Sequence, residues 1–402
     1  MRKLCCVSKE PSNPPPSTRS RSTESPAVDA KIDSAAEIIQ KWNMEASIFG
    51  RVTSMFYESK REAMEFIERV KDLQTTMRLL VSEDPNSENL ARAHTLMQIA
   101  MKRLQKEFYQ ILSMNCAHLD PESVSTRSSL TSARSSTSDF PDDDDATNAA
   151  GDSIVEVEEV STIAMSDLKT IAECMIASGY AKECVSIYKS IRKSIVDEGI
   201  YRLGVEGISS SKMKKMPWEV AEMLMKSWVE AVNVSLKTLF NGERILCDHV
   251  FESSNTLRES CFSDISREGA FLLFGFPETV AVKNKKNSPP EKIFRLLDMY
   301  STIADNWKEI ESIFSFESTS IFRKQALNSL ICLGDSIRSL LDDFETGIQK
   351  DSSKTVVPGG SVHPLTISTM NYLLLDLGLF DRIKTGLARE KPDPSKFKSV
   401  EY

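Results

Sequence analysis

No stretch of this sequence approaches the ~18 consecutive apolar residues that a membrane-crossing helix needs. The longest candidate, 271-FLLFGF-276, has the length of a short core segment. Glycine (15 of 402 residues) and aromatics (7%) are sparse for a sheet-rich enzyme full of tight turns. Histidine is scarcer still: His94, His118, His249 and His363 stand far apart, with no CxxC or HExxH, so a zinc site would need long-range convergence. The opening residues, MRKLCCVSKEP, carry too brief an apolar stretch for a secretory signal, so we expect a cytosolic chain whose eight cysteines stay reduced. A basic domain is also lacking. Net charge is -8, and ten carboxylates with no Lys or Arg lie between Ser135 and Leu168, which leaves the rest close to neutral. No nucleic-acid partner is therefore expected.

What the sequence does contain is helical periodicity. Residues 1–33 are proline- and serine-rich with few large apolar groups, and are expected to be disordered. Over 34–115 an N-terminal helical hairpin is predicted. Ile39, Trp42, Phe49, Val52, Phe56, Ala63, Ile67, Val70, Leu73 and Leu80 step by three or four through one long or two abutting helices. Asp84-Pro85-Asn86 breaks the pattern, and Leu90, Ala93, Met97, Ala100, Leu104, Phe108 and Ile111 resume it. Residues 116–160, Ser/Thr-rich and then acidic, are expected to be a linker. A helical body is predicted over 161–380 and a divergent tail over 381–402.

Within the body, a short helix is expected from Leu168 to a stop at Gly179. The next, over 181–197, would carry Val185, Tyr188, Ile191 and Ile195 on one face. Pro217 opens another, with Asn241-Gly242 as its stop. Further helices are expected near 254–282, from Pro289-Pro290 to Phe314, and near 320–349. No alternating strand is found. The fold class is all-α: stacked antiparallel helical hairpins joined by short loops.

Candidates for chemistry are few. Cys247-Asp248-His249 offers a thiol, an acid and an imidazole, but adjacent helical residues point about 100° apart, so no local dyad forms. Gly204-Val-Glu-Gly207 lacks the third glycine of a dinucleotide loop and the Lys-Ser/Thr of a phosphate loop, and reads as a turn. His363 precedes a proline before a capped helix start, the setting of a structural histidine. No enzyme activity, cofactor or metal is expected. Two other features fit function. Cys5 and Cys6, beside Arg2 and Lys3, suit S-acylation, and acyl chains next to basic charge hold a chain on a membrane. The Arg-Ser pairs at 19–22, 127–129 and 134–136 suit phosphorylation. Lys212, Lys214 and Lys215, like Lys283, Lys285 and Lys286, are more simply read as solvated loop charges.

Four blocks then stand out in order: 168-LKTIAECMIASGYAKECVSIYKSIRKSIVDEGIYRLGVE-206, 217-PWEVAEMLMKSWVEAVNVSLKTLFNGERILCDHVF-251, 289-PPEKIFRLLDMYSTIADNWKEIESIF-314, and 359-GGSVHPLT-366 with 370-MNYL-373. They resemble the Exo-seventy family, the seventy-kilodalton subunit of the exocyst, in its plant branch. The resemblance implies an elongated, cullin-repeat-like rod that tethers secretory vesicles to the plasma membrane before fusion. Other exocyst subunits would be its partners, and its place cytoplasmic, peripherally on the plasma membrane or vesicles. In the family a basic C-terminal surface binds phosphoinositide headgroups. Beyond Leu373 this sequence departs from the family, so that surface is expected to be missing and no lipid-contact residue is carried over. Loss of later helices would leave Leu330, Ile337 and Leu341 exposed. A regulatory adaptor or decoy lacking the lipid-binding region is the alternative.

Overall fold

The computed structural model describes residues 25–46, 48–114, 147–281 and 291–351. Among these residues there are helices, turns and loops and no strand, so the all-α class stands. The chain divides into two compact units, one built on residues up to Gln110 and the other mainly on those from Lys182 onward.

The N-terminal unit is a bundle of three long helices: α1 (Ser25–Lys41), α4 (Lys60–Glu83) and α5 (Glu88–Met114). Between the first two lie α2 (Ile48–Val52) and α3 (Met55–Glu58). Lys41 meets Glu62 at 2.6 Å where α1 ends and α4 begins, so these two run antiparallel. Asp29 accepts from Asn89 and Asp33 pairs with Arg92 at 2.7 Å, so α1 runs alongside α5 in the same sense. Four expectations are corrected here. Helix α1 starts nine residues inside the segment expected to be disordered, and Ile32 is fully buried in it. The hairpin gains a third helix. The one long helix or two abutting helices predicted over 35–82 are instead separated after Lys41 by a loop and two short helices, where the Asn43 carboxamide oxygen accepts from the Glu45 amide and turns the chain. Val52, placed on the buried stripe by its spacing, is 72% exposed.

The second unit comprises α6 (Thr147–Ala177) as far as Glu173, then α7 (Ala181–Arg202), α8 (Ser210–Lys215), α9 (Trp218–Val234), α10 (Asn241–Val250), α11 (Asn255–Ala281), α12 (Glu291–Asp305), α13 (Trp307–Ile313) and α14 (Ser320–Asp351). Helix α6 begins well inside the segment expected to be linker. That segment is acidic, but Thr147–Ala177 holds one glycine and no proline, and glutamate is a good helix former. Asn241-Gly242 is not a stop. A π-helical turn, Ser235–Phe240, carries α9 directly into α10, and Gly242 is buried in mid-helix. Helix α7 runs antiparallel to α10, with Arg192 meeting Glu243 at 2.8 Å. It runs parallel to α11, through Lys189–Asp264 and Lys193–Glu268 at 2.5 and 2.6 Å. Helix α14 packs on α11 and α12. As a result Leu330 and Ile337 are buried rather than exposed. The helix predicted from Pro289 to Phe314 divides at Asn306 into α12 and α13.

Helix α11 contains a proline, Pro277, in its interior. Proline has no amide hydrogen, so the carbonyl four residues earlier, that of Leu273, loses its helical donor. The indole of Trp228 on α9 supplies it, at 2.8 Å, while its ring stacks on Phe276. Trp228→Phe is expected to destabilise the protein by about 1–3 kcal/mol, because a buried carbonyl is left unpaired. Trp228→Phe with Pro277→Ala should recover much of that loss by restoring the amide. Chemical denaturation of the two variants checks this, and equal destabilisation would refute it.

Candidate functional site

Where α10 passes α7, the polar residues turn inward. Cys184, Tyr188, Arg192, Val196 and Ile200 form the buried stripe of α7; Tyr188 lies on it as read from the sequence, whereas Val185, Ile191 and Ile195 are only half-buried. Glu243 on α10 faces it. The Tyr188 hydroxyl donates to one Glu243 oxygen at 2.9 Å and Arg192 Nε to the other at 2.8 Å. Cys247 Sγ lies 3.5 Å from both the Tyr188 hydroxyl and Glu243. Both charged side chains are fully buried. Burial first, then the neighbouring Glu243 carboxylate, pushes the Cys247 thiol well above its ordinary range. Burial likewise holds the Tyr188 phenol protonated, with Cys247 and Glu243 adding to the effect. A thiol and a phenol held protonated, with no opening to solvent, make neither nucleophile nor base.

The neighbours of Cys247 diverge from it, as helical geometry requires. Asp248 points outward, bidentate to Arg244 Nε at 3.1 and 3.0 Å, and takes a second cation from Arg258 at 3.4 Å. Arg244 lies 3.6 Å over the Phe316 ring and donates to the Ile313 carbonyl at 2.8 Å, fastening the connector between α13 and α14. Gly204 takes a left-handed φ of 74° just past α7, so the Gly204–Gly207 stretch is a helix-ending turn. Lys212, Lys214 and Lys215 are exposed on α8 around the buried Met213. Cys5, Cys6, His118, His363, Lys283, Lys285, Lys286 and the Arg-Ser pairs lie outside the described residues. Among the described residues no group of His, Cys, Asp and Glu is arranged to hold a metal ion. None of their helices is long and apolar enough to cross a membrane.

The remaining thiols follow the same physics. Burial lifts Cys174 to about 11 and Cys184 and Cys261 to about 12. With N-ethylmaleimide at pH 8 the folded chain should leave these three and Cys247 unmodified, and of the described cysteines the half-exposed Cys332 should react first. Guanidinium should open all of them. Fast native-state labelling of Cys247, read by mass spectrometry, would contradict the burial.

A second buried pair, unforeseen from the sequence, lies in the N-terminal unit. Arg103 and Glu107, one turn apart on α5, are paired and buried. Glu107 accepts from the Ser54 hydroxyl at 2.7 Å and the Met55 amide at 3.0 Å. Arg103 donates to the Gly50 and Thr53 carbonyls and lies 5.0 Å over the Trp42 ring. The only sequence signal was an Arg and a Glu four apart among apolar residues at the core spacing.

Both buried polar nodes thus fix helices and loops against one another. The class so defined is an all-α helical scaffold. Comparison with known proteins makes this specific. Residues 31–114 match the family described as the N-terminal region of exocyst complex component Exo70, and residues 226–394 match the one described as the C-terminal region of the Exo70 exocyst complex subunit. The chain belongs to the Exo70 family of exocyst subunits. It is 30% identical to the exocyst complex component EXO70B1 of Arabidopsis thaliana over 77% of this chain and 51% of the relative. To EXO70A1 of the same plant it is 30% identical over 71% and 45%, and to EXO70C1 28% over 87% and 52%. The chain spans about half the length of the curated relatives it matches.

Proposed function

We propose that the chain acts as a non-enzymatic member of the exocyst, offering helical faces on which other exocyst subunits assemble while secretory vesicles are tethered to the plasma membrane before fusion. The observation that carries this reading is the occurrence of both Exo70 regions, in order, on a chain whose described residues are helical. Stacked helices suit such work because they give long partner-binding faces without a catalytic pocket. Affinity purification of the tagged chain from plant cells is the test. Recovery of the other exocyst subunits is expected. Recovery of a receptor or kinase without them would assign the chain a regulatory adaptor role instead.

Membrane contact is proposed to be peripheral and cytoplasmic, to phosphoinositide-bearing bilayers, with acylation of Cys5 and Cys6 supplying the anchor. One acyl chain alone holds a protein only marginally, whereas two, or one beside basic charge, hold it stably. The unmodified chain should float weakly with phosphoinositide vesicles and the acylated chain strongly. Tight binding by a Cys5→Ser, Cys6→Ser variant would sink this part.

A further inference from the structure

Helices α9 and α12 run side by side in the same sense. Glu222 meets Arg295 at 3.1 Å, and further along both helices Asn306 Nδ2 donates to the Asn233 carboxamide oxygen at 2.9 Å. Between these contacts, over ~16 Å of helix, lies an open groove of about 490 Å³. Its two ends differ. At the first, Lys226 and Arg295 are both held by Glu222, at 2.9 and 3.1 Å, and Arg295 also by Asp298 at 2.8 Å. At the second, the side-chain donors are taken up within the protein. Asn233 Nδ2 bonds the Val229 carbonyl at 3.0 Å, Asn306 Nδ2 bonds Asn233 and the Thr302 carbonyl at 2.8 Å, and the Thr302 hydroxyl bonds the Asp298 carbonyl at 2.7 Å. Acceptors are left over. Glu230 and Asp305 line the groove, exposed, and neither makes an ion pair among the described residues. Asn306 is only 8% exposed. It stands at the N-cap of α13, where a carboxamide oxygen ordinarily accepts a helix amide, yet it makes no such bond. That oxygen has no donor among the described residues and opens into the groove.

We propose that this acceptor-rich end of the groove binds the guanidinium of an arginine carried on an extended segment of another protein. Two unpaired carboxylates and an unpaired carboxamide oxygen call for a cation that brings its own N–H groups, and a guanidinium has five donors and no acceptor. Helix α12 ends at Asp305, so the negative end of its dipole adds to the field. The basic residues nearby do not cancel it. Lys226 and Arg295 are already bonded to Glu222, and Lys308, exposed just beyond on α13, stands beside the equally exposed Glu309. A planar fork reaches the Asn306 oxygen and a carboxylate together, which the point charge of an ammonium does less well. Val229 and Met225 offer an apolar wall for the methylene stem. A linear polyamine fits less well, because its other ammonium groups would meet the end where Lys226 and Arg295 already hold the carboxylates. A metal ion is not favoured either, since no group of ligands among the described residues is arranged for one. The proposal goes beyond the assembly reading and does not depend on it.

Fluorescence anisotropy tests this with the full chain and labelled, otherwise neutral extended peptides that carry arginine, lysine, or citrulline, which keeps the shape of arginine without its charge. The arginine peptide should bind at least ~10-fold tighter than the citrulline peptide, the size of one hydrogen bond to a charged group, and tighter than the lysine peptide. Glu230→Gln with Asp305→Asn should weaken the arginine peptide at least ~10-fold and leave Tm unchanged, because both side chains are exposed and unpaired. Glu65→Gln with Glu68→Gln, which removes the same charge from exposed positions of α4 in the other unit, should leave binding unchanged. Four outcomes would overturn the proposal: equal binding of the arginine and citrulline peptides, indifference to Glu230→Gln with Asp305→Asn, an equal loss from the α4 pair, or spermidine binding tighter than the arginine peptide.

Discussion

Phe314→Ala is expected to be among the most destabilising single substitutions in the second unit, lowering its stability by about 3–5 kcal/mol. Phe314 ends α13 fully buried, and its ring meets four others: Phe240 at 5.3 Å, Phe262 at 5.8 Å, Phe274 at 6.0 Å and Phe322 at 5.5 Å. Those rings come from the π-helical turn, from two levels of α11 and from the first turn of α14. Truncation would open a cavity where four elements converge, and none can fill it without unpacking another. Phe314→Leu keeps most of the volume and should cost clearly less. Chemical denaturation followed by circular dichroism measures both. A loss below about 1.5 kcal/mol for the alanine variant, the size of a mild repacking, would mean that the rings do not share one core.

Glu243→Ala is expected to cost a similar amount, about 3–5 kcal/mol, for a different reason: it strands the Arg192 charge in a fully buried site. Arg192 Nη1 and Nη2 have no hydrogen-bond partner, so even the intact pair is incompletely satisfied. Replacing both residues, Arg192→Met with Glu243→Leu, should therefore cost much less than either single change. The double variant removes the stranded charge and fills the space with apolar atoms, leaving the Tyr188 hydroxyl without the carboxylate it now donates to. A double-mutant cycle reads the coupling. Simple additivity of the two single losses would show that the pair does not act as a unit.

This pair also shows where the sequence was readable and where it was not. Helix content was legible because apolar residues recur at helical spacing through most of both units, as in Ala63, Ile67, Val70 and Leu73 on α4, all buried. The buried face of α7 was read correctly at Tyr188 but missed at Val185, Ile191 and Ile195, because Arg192 sits at its centre and periodicity counts apolar residues only. The break after Lys41 escaped for the reverse reason: Trp42, Val52 and Phe56 keep helical spacing, while the loop is held by Arg103 and Glu107 from a helix far along the chain. Asn241-Gly242 looked like a terminator, but π-helical hydrogen bonding carries the chain through it. Of the candidate chemistry, the divergence of Cys247 from Asp248 followed from helix geometry alone. The exposure of Ile48 and Val52 did not, because it is set by tertiary packing.

The bond between the Trp228 indole and the Leu273 carbonyl has a consequence for descent. Pro277 and Trp228 form one heritable pair, and the order in which a lineage can lose them is constrained. If the imino acid goes first, an amide returns and the indole is released to drift. If the indole goes first, every descendant carries a starved oxygen in its core until a second change repairs it.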